Sequence, residues 1–159
     1  MTGLKQRGRA RAGYNALASS APARVARQLG AGRTGQLLSA LIMMVYPMAY
    51  MEASSTKNDL FVALWVCSLA FWTLQVVNEK RCTVPHAVLI GLCVGFLLLT
   101  KGTGGVFALP LCAIVGIATV VLERRRSILL GVIIVACTMA PNLGHWGRNM
   151  AMFGRPMGP

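Results

Sequence analysis

Acidic residues are what this sequence lacks most. Of 159 residues, four are Asp or Glu against sixteen Lys and Arg, and all charged residues together make up 13% of the chain. An ordinary water-soluble domain carries about a quarter charged residues, so that class is set aside first. Aromatic residues are also scarce, at 7%. The basic N-terminal stretch has Tyr14 as its sole aromatic, which leaves no stacking platform for bases and argues against nucleic acid as a partner. Close cysteine pairs are missing too. Five Cys stand at 67, 82, 93, 112 and 137, an odd number widely spaced, which excludes a disulfide framework. The cysteines fall mostly within apolar runs, where they act as small hydrophobes. There are two His, His86 and His145, far apart and on opposite faces by the orientation below, so no zinc-type spacing exists.

What is present is apolar sequence, 55% of the chain, too much for a disordered basic tail. Residues 1–33 form a distinct segment with seven cations and no acid. No apolar run of the signal-peptide type interrupts it. Leu17, Val25 and Leu29 can share a helical face near Arg24 and Arg27, which predicts an amphipathic helix over Tyr14–Leu29 in the membrane interface, against anionic lipid. Pro22 predicts a break or restart within it.

Residues 34–159 then alternate apolar and polar stretches. Against the length of about 20 residues that crosses a bilayer core, five runs are expected as spans. They are Thr34–Met51, Leu60–Val77, Val84–Thr100, Val106–Leu122 and Ser127–Leu143. The predicted fold is an all-α polytopic transmembrane helix bundle of about five spans. Gly91-x-x-x-Gly95 in the third run marks a face for close helix contact. Orientation follows from the cations. With the N-terminus cytoplasmic, segments 1–33, 78–85 and 123–126 hold twelve of the sixteen, and the outer segments hold Lys57, Lys101, Arg148 and Arg155.

Topology leaves a polar remainder on the outer side: Glu52, Lys57, Asn58 and Asp59 in one loop, Thr100, Lys101 and Thr103 in the next, and Asn142, His145, Trp146, Arg148 and Asn149 after the last run. Ionisable groups beside hydrocarbon are costly unless paired or wet, so each is a functional candidate. Plain roles stand beside this one. Asp59 suits a helix N-terminus, Lys101 can snorkel, and Trp146 with Arg148 suits an interfacial anchor. Lys101-Gly-Thr-Gly-Gly lacks the phosphate-loop signature, though its backbone N–H groups could still cradle a phosphate.

Three stretches carry a resemblance. They are the span ending in Pro47 followed by Glu52-Ala-Ser-Ser-Thr-Lys-Asn-Asp59, the run Gly91-Leu-Cys-Val-Gly-Phe-Leu-Leu-Leu-Thr-Lys-Gly-Thr103, and Ala140-Pro-Asn-Leu-Gly-His-Trp-Gly-Arg-Asn-Met-Ala-Met-Phe-Gly-Arg-Pro156. Together they resemble GT-C membrane glycosyltransferases, the group of protein O-mannosyltransferases and lipid A aminoarabinose transferases. The resemblance implies sugar transfer from a polyprenyl-phosphate donor to an acceptor outside the cytoplasm, in the inner (plasma) membrane. It implies Asp59 for acceptor or metal contact, with a divalent metal as a possible cofactor. Lys101 and Arg148 would meet the donor phosphate, and Lys57, Glu52 and His145 would join them in binding substrate or phosphate. Members of the family place their main catalytic acid in an earlier outer loop and continue further, so the resemblance also implies an internal piece of a larger enzyme. The competing expectation is a small non-catalytic membrane protein with a basic lipid-binding arm.

Overall fold

In the computed structural model the described residues are 20–47 and 58–155. Among them the secondary structure is helical throughout, with no strand. Residues 20–28 are helical with Pro22 in the first turn described, and residues 14–19 of the expected amphipathic helix lie outside the described residues. Arg24 and Arg27 are exposed while most of their neighbours are half-buried. Six helices follow: α1 (Arg33–Val45), α2 (Asp59–Glu79), α3 (Val84–Thr100), α4 (Gly104–Leu122), α5 (Ser127–Met139) and α6 (Leu143–Phe153).

Two of these, α2 and α4, are long and apolar enough to cross a membrane, and α5 with α6 makes a third if the pair is one span bent by 57°. Length and composition therefore carry two or three spans, not the five expected. At 13 residues, α1 falls short, α3 stops at 17, and a turn over 140–142 breaks the fifth run. Pro141 lies in that turn, where its missing N–H ends the helical ladder.

Helix α3 is the centre of the bundle. His86, Ala87, Ile90, Gly91, Cys93, Gly95 and Leu97 are all buried on it. It runs parallel to α5, with Gly91 against Ile134 and Cys137, and Gly95 against Thr138 and Pro141. A Cβ on Gly91 would meet the Ile134 carbonyl oxygen at 2.6 Å, and one on Gly95 would meet Pro141 at 2.7 Å. The absence of both side chains is what lets the backbones approach, as the spacing predicts. Polar bonds reinforce the contact. Thr138 Oγ1 donates to the Gly91 carbonyl at 3.1 Å, and Asn142 Nδ2 donates to the Gly95 carbonyl at 2.9 Å.

Helix α2 packs antiparallel to α3, and the stacked rings of Trp65 and Phe96, 4.9 Å apart, fix them at one end. At the other end Trp72 lies 6.0 Å from His86. There the Thr83 backbone N–H donates to His86 Nδ1 at 3.4 Å, ordering the start of α3. Thr73 and Thr119, buried in α2 and α4, return their hydroxyls to carbonyls one turn back, at 2.8 and 2.7 Å. These two buried hydroxyls are thus satisfied within their own helices, as an apolar surround requires.

Candidate functional site

The bundle has two unlike ends. One gathers the start of α2, the end of α3, the turn into α4 and the break between α5 and α6. Asp59 is the first residue of α2, and Asn58 precedes it as the N-cap. Lys101 follows the last residue of α3, where its backbone leaves the helix in an extended conformation. Because α2 and α3 are antiparallel, these positions meet. Lys101 Nζ lies 2.6 Å from Asp59 Oδ1, and the two side chains are 50% and 43% exposed. This pair joins two residues 42 apart in sequence. An exposed ion pair contributes about 0–1 kcal/mol, so its importance lies in placement rather than stability.

The turn after Lys101 is built on itself. The N–H groups of Gly104, Gly105 and Val106 donate to the carbonyls of Lys101, Gly102 and Thr103 at 2.8, 3.2 and 3.2 Å. Those three amides are therefore occupied within the turn. Gly104 has a different reason to be glycine: a Cβ there would stand 2.8 Å from buried Leu97.

Asn142 sets the direction of the chain beyond α5. It is 1% exposed, and its amide donates to the Gly95 and Thr138 carbonyls, both at 2.9 Å. Its Oδ1 has no hydrogen-bond partner. The contact with Gly95 fixes the start of α6 beside the last turns of α3, at the Lys101 end. On α6, Leu143, Trp146, Met150 and Phe153 share one face, with His145 and Arg148 on the other side and Asn149 at the edge between them. Asn149 Nδ2 lies 3.1 Å from His145 Nε2, and Arg148 is exposed.

Of the residues singled out from sequence, the structure therefore joins Asp59 to Lys101 and sets His145 and Arg148 on the neighbouring α6. Glu52 and Lys57 lie outside the described residues. Among the described residues no three His, Cys, Asp or Glu side chains cluster as a metal site would require. Asn142 is the residue that sequence reasoning named without giving it a task. Its position directly after a proline at a helix end was the available signal.

The opposite end is cationic. Asn78 at the end of α2 donates to the Gln28 carbonyl at 2.8 Å, bringing helix 20–28 with Arg24 and Arg27 to this end. Lys80 and Arg81 follow α2, and the exposed Arg124, Arg125 and Arg126 follow α4. Glu79 takes up Arg81 at 3.3 Å. Burial pushes the Cys82 thiol above its ordinary range, and a hydrogen bond with Thr119 acts in the opposite sense. No protein-family model, curated protein or solved structure matches the chain.

Proposed function

We propose that this chain belongs to an integral membrane glycosyltransferase that moves a sugar from a polyprenyl-phosphate donor to an acceptor on the outer face of the membrane. The observation that carries the reading is the Lys101–Asp59 contact of 2.6 Å. It sets a carboxylate and an ammonium side by side where two helices reach the bundle surface. Transfer requires both groups. The acceptor hydroxyl attacks the anomeric carbon, its proton passes to the Asp59 carboxylate, and the sugar–phosphate bond breaks with its electron pair leaving on the phosphate. Lys101 stabilises that departing charge. Before substrate arrives the two groups hold each other. A bound phosphate competes for Lys101 and releases Asp59 as proton acceptor, at little cost because the pair is half-exposed. Arg148 on α6 supplies a second cation, and His145 lies on the same helix. A divalent metal, where one is used, would meet Asp59.

The same reading sets the topology. Helices α2 and α4 end side by side, at Val77 and Leu122, so the two candidate spans run in one direction and α3 must return the chain between them. Seventeen residues at about 1.5 Å each reach roughly 26 Å, enough for a helix enclosed by its neighbours. The cationic end, with helix 20–28, faces the cytoplasm of an inner (plasma) membrane, and the Asp59–Lys101 end faces out.

The test is sugar incorporation from a polyprenyl-phosphate donor in proteoliposomes. Asp59→Asn and Lys101→Ala should each lower transfer by about a hundredfold or more. In the double variant the losses should fall well short of multiplying, because the groups act as one unit. Unchanged transfer in both single variants would reject the assignment.

A further inference from the structure

A groove runs between the last turn of α2 and the last three turns of α4, at the cationic end. Val77, Ile114, Ile117, Ala118, Val121 and Leu122 line it, and it encloses about 330 Å³, within the size range of ligand pockets. The lining is entirely apolar. Ile117 and Val121 are 67% and 71% exposed, so the groove opens sideways. Its polar end is set by the sequence that follows each helix. Lys80 and Arg81 lie just beyond Val77, and Arg124, Arg125 and Arg126 lie just beyond Leu122. The three arginines are exposed in a tight turn, closed by Arg126 N–H donating to the Glu123 carbonyl at 2.7 Å. The acids at this mouth are Glu79 and Glu123, and Glu79 already holds Arg81.

An open apolar slot with cations at one end matches a molecule with one long hydrocarbon chain and an anionic phosphate head. We infer that this groove binds an anionic phospholipid, with one acyl chain along α4 and the phosphate on Arg124–Arg126 and Lys80. Basic pockets beside membrane helices recognise anionic head groups in this way, and the apolar slot supplies what diffuse attraction to a charged leaflet does not. The site rests on the bundle residing in a membrane and is independent of sugar transfer, since it lies at the far end from Asp59 and Lys101.

The full chain, purified in detergent and offered equal amounts of phosphatidylglycerol and phosphatidylcholine, is read by native mass spectrometry for retained lipid. Phosphatidylglycerol should be retained about tenfold or more over phosphatidylcholine, since each cation near a head group favours the anionic lipid. Ile117→Trp fills the slot without touching a charge and should abolish the preference. The triple change Arg124→Gln, Arg125→Gln and Arg126→Gln should abolish it as well. Ile128→Trp, on the exposed surface of α5, controls for a new surface tryptophan and should leave the preference intact. Equal retention of the two lipids by the native chain overturns the site. So does full preference in Ile117→Trp, which would reduce the effect to surface charge alone. Helical circular dichroism of each variant confirms that the bundle is present when lipid is counted. Normal lipid selectivity with no sugar transfer would overturn the enzymatic reading and leave this site standing.

Discussion

Helices α3 and α4 are near equals in sequence, 17 and 19 residues of almost uncharged apolar composition, yet they have opposite fates. Helix α3 has buried residues from His86 to Leu97 and exposes Val84, Phe96 and Leu99 elsewhere, whereas α4 leaves Val106, Phe107, Leu109, Ile117, Val120 and Val121 exposed. Hydrophobicity does not choose between them, because hydrocarbon outside the bundle is as apolar as the side chains within it. What differs is the shape of one face. Gly91 and Gly95 lie one turn apart on α3 and admit the α5 backbone, and their carbonyls receive Thr138 and Asn142. Gly116 on α4 has nothing within 4 Å of where its Cβ would stand. A lone glycine makes no notch.

The comparison is broken most directly by filling the notch. Gly95→Leu should cost about 1–3 kcal/mol or more, since the new Cβ meets Pro141 at 2.7 Å and the Thr138 carbonyl at 2.9 Å. Gly116→Leu should fall within about 0.5 kcal/mol of the native chain. Thermal unfolding of both variants in one detergent measures the difference, and equal melting temperatures would show that the α3–α5 contact is not what separates the two helices. Next in size is Asn142→Ala. It leaves the Gly95 carbonyl without its cross-helix donor, and should lower stability by about 1–3 kcal/mol in the same assay. Thr138→Val should cost less, nearer 0.6 kcal/mol, because its hydroxyl also has a partner within its own helix. The smallest effect belongs to the other end of α3. Lys101→Ala should shift stability by no more than about 1 kcal/mol, and the shift should shrink as salt is added. A large salt-independent loss would show that the pair holds the bundle together rather than serving chemistry.

Much of this was legible in the residues. The apolar runs located the helices, because membrane-length hydrophobic segments admit few other structures. Gly91-x-x-x-Gly95 announced a close contact, though not that its partner would be α5 rather than an adjacent helix. Partner choice depends on three-dimensional complementarity that spacing along one helix does not contain. The cations sorted into two groups by sequence segment, and among the described residues Lys80, Arg81 and Arg124–Arg126 stand at one end of the bundle with Lys101 at the other. The bend after α5 had its signal in Pro141, though the expected span Ser127–Leu143 ran through it, and its stabilisation by Asn142 had none, since a buried amide and an exposed one read alike in sequence. The groove beside Val77 was invisible for a related reason. It belongs to no single segment, and its walls are ordinary membrane residues whose significance comes from leaving space between two helices.

The α3–α5 contact also has a consequence in time. Thr138 reaches Gly91 across 47 residues of sequence, and chains are made at about 5–20 residues per second, so roughly 2–10 s separate the emergence of the two surfaces. Throughout that interval the notch on α3 exists without the helix that fits it, while α4 is already available and offers no matching face. The glycines that make the finished bundle tight therefore also create a waiting intermediate. Its lifetime is set by the pace of synthesis rather than by the folding of any one helix.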